Sequence, residues 1–591
     1  MSYVIGIDLG TTHCALTYAI IADKQVELLE IEQVVSGGHV EKKTLLPSFV
    51  YFPLEEELKA KIASLPWNEN QSFCIGHLAK ERGKELPNRL IHSAKSWLCY
   101  DGIDRREKVL PQDDSADVKM SPLQVTQEIL IHLKEAWNAQ MKEFSFSDQK
   151  ILITVPASFD PAAKELVLEA AANAKYPSVV LLEEPQAAFY SWLNRHESTW
   201  RKDIGVGDTI LVVDIGGGTT DFTLIGADEE GGELNLKRIA VGDHLLLGGD
   251  NLDLALAHLA KDQLENDGHS IDDWQMHHLT HGCREAKEIL LGLNPPQSIS
   301  LSVPGRGSKL IGGSLSTNLQ LKDVEEFIVE GFFPFVDFSE EVELDTHGIQ
   351  QIGLPYAADP RVTAQLASFL RKSNCMPAKV LFNGGSLKAA ALTKRLLEQL
   401  EQWAKQQQKP VTNVLEGADF DYAVSRGAAY YGLVREGKGI RIKAGTSHSY
   451  YIGVQSARPA IPGFPTPLKA ICIAPYGMEE GTEVTLEGQE FSLILGQPVT
   501  FRFFGRATEK LSDGQTAEVG TVISKWAQEL KELHPLESQL DKKEGEGRAV
   551  KVKLKAKVTE TGVLELWCLS NDNREWKLEF NLRQVEELAT V

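Results

Sequence analysis

The sequence has little positive charge for its size and no pattern of paired cysteines. Its 591 residues include 61 Lys and Arg against 83 Asp and Glu, which gives a net charge of −22 at pH 7. This balance argues against a surface for nucleic acid and fits a soluble protein. The seven cysteines are scattered without a C-x-x-C pair, which argues against disulfides or a zinc site and favours buried thiols in a reducing compartment.

Long apolar runs are also missing. The sequence has no uncharged stretch of about 18 apolar residues, and no charged-then-apolar leader precedes the first predicted strand. We therefore expect a cytoplasmic protein that does not bind membranes. The apolar fraction of 42% is nevertheless sufficient for large cores. At roughly 150 residues per domain, the length predicts about three to five structural units.

Two similar stretches show the clearest pattern. "VIGIDLGTTHC" begins at Val4 and "VVDIGGGTTDF" begins at Val212, and each predicts a buried strand, a Gly-Thr turn and a return strand. Such a turn offers free backbone N–H groups, and glycine lets a phosphate come close. An aspartate at the strand end is well placed to bind Mg²⁺, directly or through water. Two such turns that face each other would clamp a polyphosphate.

Up to about Gly437 the pattern alternates strands with helices. A helix is expected at 122–144, and another is expected to begin with Asp160 as N-cap and Pro161 as its first residue. The alternation indicates α/β layers. After Gly437, short alternating runs between Gly, Pro and Asn/Asp predict a β-rich domain of about eight strands. Within it, 522–540 is expected to be helical or loop-like.

The order of the motifs resembles a known family. Along the chain stand "IDLGTT", "VPASF", "EEPQAA", "DIGGGTTD", "GGD", "NGGS" and "RGAA". This order is similar to that of the ATPase domain of DnaK-type 70-kDa heat-shock chaperones, in the actin, hexokinase and heat-shock ATPase superfamily. The resemblance implies an α/β, two-lobed actin-like ATPase with a duplicated ribonuclease-H-like core over 1–437. It further implies a linker at 438–446 and a β-sandwich at 447–591 that resembles a lidless peptide-binding domain.

The resemblance also implies a site for Mg²⁺ with ATP or ADP. The catalytic groups that it implies are Asp8, Lys95, Glu184, Asp214, Thr219 and Asp221. Two of these, Asp8 and Asp214, would hold the metal through water. The nucleotide-binding residues that it implies are Gly10, Thr11, Thr12, His13, Gly216, Gly217, Gly218, Gly248, Gly249, Asp250, Arg284, Glu285, Lys287, Gly384, Gly385, Ser386, Lys388 and Asp421.

Some of these residues have specific implied roles. Glu184 would help position the attacking water, although Glu183 precedes it directly. Lys95 would offset charge on the transferring phosphoryl group. His13 is expected to form a wall of the pocket rather than a base or a ligand. Pro156 and Lys164 occupy the strand-turn-helix with which the family senses the nucleotide, with lysine in place of the more usual arginine.

Four features depart from the family's pattern. In "CREAKEILL", Arg284 and Leu291 replace a glutamate and a serine that contact adenosine, and Lys388 replaces an arginine that often stacks on adenine. We therefore expect weak selectivity for adenine. The linker "GKGIRIKAGTSHSYY" has no leucine run to bury, and no helical lid is expected after the last strand, "WKLEFNL". The stretch 330–362 is longer than the usual connection, as in a divergent bacterial branch of the family.

The functional expectation is a Mg²⁺-dependent, slowly hydrolysing ATPase that acts as a chaperone. It would bind unfolded or extended polypeptides, with co-chaperones as further partners. One alternative is an ATPase scaffold or regulator that is dedicated to one protein partner. Another is a small-molecule kinase of the same superfamily. A kinase would need a substrate aspartate base and no large β domain, so the sequence disfavours it.

Overall fold

The computed structural model describes two six-stranded sheets flanked by helices, followed by a β-rich region with one ten-stranded sheet. The described residues are 2–22, 25–100, 102–112, 116–197, 199–230, 233–305, 313–343, 354, 356–437, 442–443, 446, 448–455, 467–478, 481–496, 498–507, 511–512, 514–539, 549–559, 564–570, 572 and 574–580.

The strands of the two six-stranded sheets and their surroundings are β1 (Tyr3–Leu9), β2 (His13–Ile20), β3 (Val26–Leu28), β4 (Ile31–Ser36), β5 (His39–Lys43), β6 (Leu46–Pro47), β7 (Val50–Tyr51), β8 (Cys74–Ile75), β9 (Leu90–Ile91), β10 (Lys150–Val155), β11 (Val179–Glu183), β12 (Thr209–Ile215), β13 (Thr220–Glu230), β14 (Glu233–Val241), β15 (Ser298–Pro304), β16 (Ser314–Gln320), β17 (Lys379–Asn383), β18 (Asn413–Val414) and β19 (Ile442–Lys443). Those of the C-terminal region are β20 (Ser449–Gln455), β21 (Leu468–Ala474), β22 (Glu483–Thr485), β23 (Phe491–Ile494), β24 (Pro498–Arg506), β25 (Val522–Ile523), β26 (Lys531–Gln539), β27 (Ala549–Val558), β28 (Leu564–Ser570) and β29 (Glu575–Phe580).

The α-helices are α1 (Glu55–Lys59), α2 (His77–Glu85), α3 (Ala94–Cys99), α4 (Pro122–Gln140), α5 (Pro161–Asn173), α6 (Glu184–Arg195), α7 (Trp200–Asp203), α8 (Gly249–Asn266), α9 (Asp273–Leu290), α10 (Leu321–Val324), α11 (Val362–Lys372), α12 (Ala390–Gln406), α13 (Ala423–Arg435) and α14 (Trp526–Glu529). Short 3₁₀ turns lie at Pro87–Arg89, Phe146–Asp148 and Gly385–Lys388, and a π-helical turn lies at Glu325–Glu330. Within the described ranges, none of the helices is both long and apolar enough to span a bilayer.

The two six-stranded sheets have the same topology. In the first, the order is β11-β10-β1-β2-β3, with β1 parallel to β10 and antiparallel to β2. In the second, the order is β18-β17-β12-β13-β14-β19, with β12 parallel to β17 and antiparallel to β13. This repetition confirms the duplicated α/β core that the family resemblance implied. We call the first sheet with its helices lobe I and the second sheet with its helices lobe II.

The central strand β1 is apolar along its length because both of its faces are covered. Ile5 and Ile7 belong to the core of lobe I, whereas Val4 points to the opposite face. Helix α5 follows the predicted pattern, since the side chain of Asp160 accepts a hydrogen bond from the N–H of Ala163 at 2.7 Å. The helix predicted at 122–144 is also present, as α4.

The two lobes share a third core around α6 and α13. It joins Val4 and Leu152 of lobe I to Ile210 and Val212 of lobe II through the aromatic side chains of the two helices. The helices cross so closely that a Cβ at Gly427 would lie 1.7 Å from the carbonyl oxygen of Ala187. Only glycine fits at this crossing.

The C-terminal region is β-rich, as predicted. Its strands follow the order β22-β27-β28-β29-β26-β24-β20-β21-β25, and β23 also pairs with β27. The two ends of this path pack face to face, because Tyr450, Ile452 and Phe503 share one core with Leu554 and Leu566. Such packing is that of a β-sandwich.

The expectation that 522–540 is helical or loop-like was wrong for most of the stretch. Only the four residues of α14 are helical, and Lys531–Gln539 form a strand that pairs with β24. Phe503 lies opposite Leu533, but Phe501 lies opposite Leu536, so β26 carries one extra residue in a bulge. The bulge and Pro535 within it break the alternation of apolar residues, which concealed the strand in the sequence.

The linker docks on lobe II through its backbone. The described linker residues Ile442 and Lys443 pair in parallel with Leu236 and Lys237 of β14, which places β19 at the sheet edge. The sequence suggested that this segment has little apolar area with which to dock. Backbone pairing requires no apolar side chains, so the absence of a leucine run does not prevent the contact.

The C-terminal region contacts lobe I at α5. His534 Nε2 lies 3.8 Å from a carboxylate oxygen of Asp160, and Lys577 Nζ lies 4.0 Å from one of Glu165. A cavity of about 1020 Å³ lies beside this contact, between lobe II and the β-rich strands.

The described part of the long connection 330–362 is anchored to lobe II and reaches lobe I. Gln399 and Trp403 of α12 donate hydrogen bonds to the carbonyl oxygen of Val336. Further along, Ala357 N donates to the carbonyl oxygen of Leu246 at 3.3 Å. Leu354 packs against the core of lobe I. The connection therefore links the two lobes.

Candidate functional site

The two Gly-Thr turns meet between the lobes. A Cβ at Gly217 would lie 2.1 Å from Cγ2 of Thr12, and a Cβ at Gly218 would lie 2.9 Å from Cγ2 of Thr11. Glycine is therefore required at the contact, because any side chain would push the two turns apart. The second turn is closed by a hydrogen bond from Gly216 N to the carbonyl oxygen of Thr219 at 2.9 Å. Gly10 lies in the first turn, where a Cβ would collide with the carbonyl oxygen of His13.

Carboxylates stand at the strand ends beside these turns. Asp8 is near the end of β1, and burial together with the nearby charge of Glu184 raises its pKa to about 7. Asp214 is near the end of β12, and the same two causes raise its pKa to about 8. Asp221 lies directly opposite Asp214 in the hairpin. These three acids, of which Asp214 and Asp221 are buried and Asp8 is partly buried, repel one another, so a cation would stabilise the site.

The space between the two lobes beside these turns is the cleft. Lys95 and Glu184 form an ion pair at its bottom. The ammonium group of Lys95 donates a hydrogen bond to Oε1 of Glu184. Burial raises the pKa of Glu184, and the charge of Lys95 opposes that rise. The adjacent Glu183 turns away and binds Arg238 and Lys164 instead. The two neighbouring glutamates therefore differ in their surroundings, and Glu184 is the one that faces the cleft.

A third glycine turn covers the second one. Gly249 N donates to the carbonyl oxygen of Gly216 at 3.0 Å, and Asp250 N donates to that of Gly217 at 2.7 Å. Gly248 is the N-cap of α8, so this helix begins at the second turn and the N–H groups of its first two residues bind that turn. The positive end of the helix dipole favours an anion there.

The Gly pair after β17 joins the same group of turns. Ser386 Oγ donates to the carbonyl oxygen of Gly216 at 2.8 Å. Gly384 has a φ of 90° and passes so close to the second hairpin that a Cβ would lie 2.3 Å from the carbonyl oxygen of Ile215. Gly385 has open space at the position of a Cβ, so a ligand would approach its backbone without obstruction.

At the far end of the cleft, basic side chains are held by acids. Arg284 binds Asp250 at 2.5 Å and Asp253 at 2.7 Å, and Lys287 binds Asp253 at 2.6 Å. In a separate pair, Lys388 Nζ lies 2.5 Å from Asp421.

Three further residues that the sequence analysis named differ in their placement: His13 beside the phosphate turn, and Glu285 and Leu291 of the adenosine helix. Burial, with the charges of nearby cations that include Arg284 and Lys388, lowers the pKa of His13 to about 3, so this imidazole is neutral and suited to a wall. Glu285 lies outside the group, because its side chain is 72% exposed and 3.9 Å from Lys84. Leu291 is buried in the core of lobe II rather than lining the cleft.

Several residues that sequence reasoning missed lie at the site. Asn383 donates a hydrogen bond to Asp214 at 2.7 Å, and Ser158 donates one to Asp221 at 2.5 Å. The hydroxyl of Ser158 is also 2.6 Å from Nδ1 of His244. Asn383 stands in the motif "LFNGGS", whose position after a buried strand was the available signal. Ser158 stands in the motif "VPASF", but no signal showed its role, and none marked His244, because their partners lie far away in the chain.

Where the structure describes the chain, no group of three or more His, Cys, Asp or Glu is arranged to hold a metal ion directly. The role assigned to Asp8 and Asp214 involves water between the carboxylates and the metal. That role is not tested by the arrangement of the side chains and stays a prediction.

Comparison with protein families identifies the chain. The family model described as Hsp70 protein matches residues 4–327, which include both Gly-Thr hairpins, Lys95, Glu184 and the turn before α8. The chain belongs to the Hsp70 family. The two equivalent sheets, the cleft between them and the β-rich region that follows are thus the fold of an Hsp70 protein. The family resemblance found in the motif order is confirmed.

Curated relatives of this Hsp70 protein include bacterial chaperones. It is 29% identical over 291 residues to the Chaperone protein HscA homolog of Acinetobacter baumannii (strain SDF), which covers 48% of this chain and 42% of the relative. It is 25% identical over 416 residues to the Chaperone protein HscA of Buchnera aphidicola subsp. Schizaphis graminum, which covers 67% and 60%. The chain therefore spans between about two fifths and three fifths of the length of these relatives.

Proposed function

We propose that this chain binds Mg²⁺ with ATP or ADP in the cleft between the lobes and hydrolyses ATP slowly. The observation that carries the proposal is the contact of the two Gly-Thr turns, with Gly217 against Thr12 and Gly218 against Thr11. Backbone N–H groups of both turns would surround the phosphates. The turn at Gly248–Asp250 and the Gly pair before Ser386 would extend the binding surface toward the nucleoside.

The donor set fits a hydrated magnesium ion. Asp8, Asp214 and Asp221 are close together, and the pKa values of the first two are raised by burial and by the charge of Glu184. A bound divalent cation would neutralise these acids and the phosphate oxygens. Because the three proposed donors are all carboxylates, a hard cation that keeps several waters is preferred over zinc or copper.

Lys95, Glu184 and Thr219 would each have a different role in hydrolysis. Lys95 would break its ion pair with Glu184 and bind the terminal phosphoryl group. It would there offset the negative charge on the phosphoryl oxygens. Glu184, released from this ion pair, would accept a hydrogen bond from the attacking water and orient it. Thr219 would donate a hydrogen bond to the phosphates. No arginine accompanies these groups in the proposed set, so we expect turnover well below the ~10 s⁻¹ typical of enzymes.

We further propose that ATP binding serves a chaperone whose β-rich region binds extended polypeptide. The proposed boundaries are 1–437 for the ATPase domain, 438–446 for the linker and 447–591 for the β-rich domain. The family and the bacterial relatives support the assignment as a chaperone. A strand edge would bind an extended chain through backbone hydrogen bonds and apolar pockets. Co-chaperones are proposed as further partners.

A second candidate function is that of an ATPase dedicated to one protein partner. The favouring observation is that the C-terminal region lies against lobe I and the linker pairs with lobe II. A C-terminal region that is held against the lobes would form part of a fixed surface for one partner. A pull-down of an unfolded-peptide library, beside one of folded proteins, separates the two functions. Capture of many different peptides would support the chaperone function. Capture of a single folded protein would support the dedicated ATPase.

The nucleotide proposal is tested by calorimetry and by release of inorganic phosphate. We expect Mg-ATP and Mg-ADP to bind at one site per chain, and ATP to be hydrolysed in single-turnover mixing. Chelation of Mg²⁺ should weaken binding. If neither nucleotide bound to the full chain at millimolar concentration, the assignment of the cleft would be wrong.

A further inference from the structure

Basic side chains of both lobes stand at the far end of the cleft, where the proposed nucleotide would place its nucleoside. Lys80 lies on α2 of lobe I, and Arg284 lies on α9 of lobe II. The two helices meet at the mouth of the cleft, because Trp274 of α9 donates a hydrogen bond at 2.9 Å to the carbonyl oxygen of Glu85, the last residue of α2. We call Lys80 and Arg284 the basic pair.

The guanidinium group of Arg284 is only partly engaged by its neighbours. Its Nε donates a hydrogen bond to Asp253 at 2.7 Å, and its Nη2 donates one to Asp250 at 2.5 Å. Its Nη1 is buried and has no hydrogen-bond partner among the residues that the structure describes. A buried donor without a partner costs free energy, so an acceptor oxygen of a ligand would stabilise the site at this atom.

The ammonium group of Lys80 is partly buried and has no counterion in the described part of the chain. None of the ion pairs found there includes Lys80, whereas Lys84, one turn later in α2, binds Glu81 at 2.9 Å. Burial and the charges of Arg284 and Lys84 lower the pKa of Lys80. The charges of Glu81 and Glu288 oppose this shift without cancelling it. Lys80 therefore stands in positive surroundings.

Three imidazoles report the same positive charge. Burial, with the charges of Lys80 and Arg284, lowers the pKa of His13 to about 3. Burial, with the charge of Arg284 and of other cations that include Lys80, lowers that of His281 to about 3. Burial and the charge of Arg284 lower that of His92 to about 4. Since His13 follows the first Gly-Thr turn, this positive region adjoins the proposed phosphate site and favours an anion.

The acids at this end of the cleft are already paired with other cations. Arg284 binds Asp250 and Asp253, and Lys287 binds Asp253 at 2.6 Å. These two carboxylates balance two cations and leave the charge of Lys80 uncompensated. The 5′-phosphates of a nucleotide are proposed to lie at the Gly-Thr turns, so they would not supply the missing charge. A ligand that satisfied Lys80 would therefore carry a second anionic group.

We propose that Lys80 and Arg284 bind a phosphate group on the ribose of the nucleotide. The inference rests on the proposed nucleotide site and names its ligand class, which is a nucleoside 5′-diphosphate or 5′-triphosphate with a further phosphate at the 2′ or 3′ position. One oxygen of that phosphate would accept a hydrogen bond from Nη1 of Arg284, and another would accept one from Lys80.

The replacement at position 284 has a physical reason under this proposal. Where the family's pattern has a glutamate that contacts adenosine, this chain has Arg284. A carboxylate accepts hydrogen bonds from ribose hydroxyls but repels a ribose phosphate. An arginine accommodates the phosphate, as in the two kinds of dinucleotide site that differ by one phosphate on the ribose. The change from acid to base therefore predicts a change of ligand, and not only a loss of selectivity.

The test compares three nucleotides by calorimetry on the full chain with Mg²⁺. They are ADP, adenosine 2′-phosphate 5′-diphosphate and adenosine 3′-phosphate 5′-diphosphate. Because hydrogen bonds between charged groups are the stronger class, we expect at least one of the two ribose phosphates to bind about 10- to 100-fold more tightly than ADP. If both bound no more tightly than ADP, the proposal would be overturned.

Lys80→Met tests the assignment of the extra phosphate. Because Lys80 forms no ion pair in the described part of the chain, its removal leaves no buried carboxylate unpaired, and the fold should persist. We expect the ratio of the affinities for the ribose phosphate and for ADP to fall at least about tenfold. Lys80→Arg should keep most of the ratio. Lys59→Met is the control, because it removes a lysine of lobe I whose side chain is 79% exposed. An unchanged ratio in folded Lys80→Met would contradict the proposal.

Inorganic phosphate distinguishes a ribose phosphate from a separate anion. We expect it to leave the affinity for ADP unchanged at the concentration at which the ribose phosphate saturates the protein. If it raised that affinity as much as the ribose phosphate does, the basic pair would take a free anion and the ligand class would be wrong. If none of the three nucleotides bound, the proposed nucleotide site would fail, and this inference with it. If ADP bound and the ribose phosphates bound no better, this inference alone would fail.

Discussion

The ammonium group of Lys95 and the carboxylate of Glu184 are each other's partner at the bottom of the cleft. Lys95 is 9% exposed and Glu184 is 11% exposed, so neither charge is well compensated by water. A phosphate that bound Lys95 would compete with Glu184 for the ammonium group. The negative charge of Glu184 would then be less neutralised. The proposed water-positioning role of Glu184 therefore depends on the state of Lys95.

Replacement of Lys95 by alanine should lower single-turnover hydrolysis of ATP by about 100-fold or more. The estimate follows from the loss of one group that stabilises charge on the transferring phosphoryl group. Phosphate release is the measurement, and circular dichroism checks the fold. Lys108→Ala removes an exposed lysine from the same lobe and is the control. Wild-type turnover in Lys95→Ala would remove Lys95 from the site.

Asparagine at Asp8 or Asp214 should weaken the Mg²⁺-dependent binding of ATP. Each change removes one of the carboxylates that are proposed to hold the water shell of the metal. Calorimetry measures the affinity for ATP with and without Mg²⁺. We expect the ratio of these two affinities to fall at least about tenfold. The control is Asp262→Asn, at an exposed position of α8. Full Mg²⁺ dependence in both site variants would contradict the assignment.

The stability of the nucleotide-free protein should depend on pH through Asp214. Burial, with Glu184 nearby, raises the pKa of this carboxyl group from 3.8 to about 8 in the folded chain. Between these values the folded state holds a proton that the unfolded state releases, so the contribution of Asp214 to stability falls as pH rises.

The Asp214→Asn variant isolates this contribution. Its free energy of unfolding should exceed that of the wild type by an amount that grows from pH 5 to pH 8, by up to about 1.4 kcal/mol per pH unit. Urea unfolding at several pH values in the absence of Mg²⁺ makes the comparison. A difference that is constant across this range would show that Asp214 is ionised throughout.

Selectivity for adenine should be weak. Arg284 and Lys287 are held by Asp250 and Asp253, and Leu291 is buried in the core of lobe II. A site without groups that hydrogen-bond the base cannot strongly reject a different base. We expect ATP to be preferred over GTP by less than about a thousandfold, which corresponds to ~4 kcal/mol. Competition between the two nucleotides measures the ratio, and a larger preference would reveal a contact that compensates for the replaced residues.

Nucleotide should change the affinity for apolar peptides by less than about tenfold. Such a factor is at the low end of the coupling that is typical of allosteric proteins. The described linker docks by backbone pairing at Ile442 and Lys443, and the ion pairs at α5 are long, so little free energy favours one arrangement of the C-terminal region. Fluorescence anisotropy of labelled peptides with ATP and with ADP is the measurement. Tight binding in ADP with loose binding in ATP would show strong coupling.

The duplicated hairpins could be predicted because their signals are local. A strand, a Gly-Thr turn and a return strand occupy about ten consecutive residues, and the turn chemistry determines the backbone path. The N-cap at Asp160 was predicted for the same reason, since the side chain bonds to an N–H three residues later. The fold class followed from the alternation of such elements along the chain.

Contacts between distant residues could not be predicted in this way. Asn383 meets Asp214 across a separation of 169 residues, and Arg238 meets Glu183 across 55. Neither pair has a spacing that a single sequence would reveal. The strand Lys531–Gln539 was missed for a different reason, because its bulge disturbs the period of two on which strand recognition depends.

The crossing of α6 and α13 constrains how the cleft opens. Since one core joins both sheets there, and Gly427 lies against Ala187 without space for a side chain, the lobes cannot separate at that point. Rotation about the crossing remains as the motion of lowest cost. Displacement under rotation grows with distance from its axis. Contacts far from that axis, such as the hydrogen bond from Trp274 of α9 to the carbonyl oxygen of Glu85 in α2, would therefore break first. A nucleotide bound as we propose would then lose its contacts at the nucleoside before those at the phosphates.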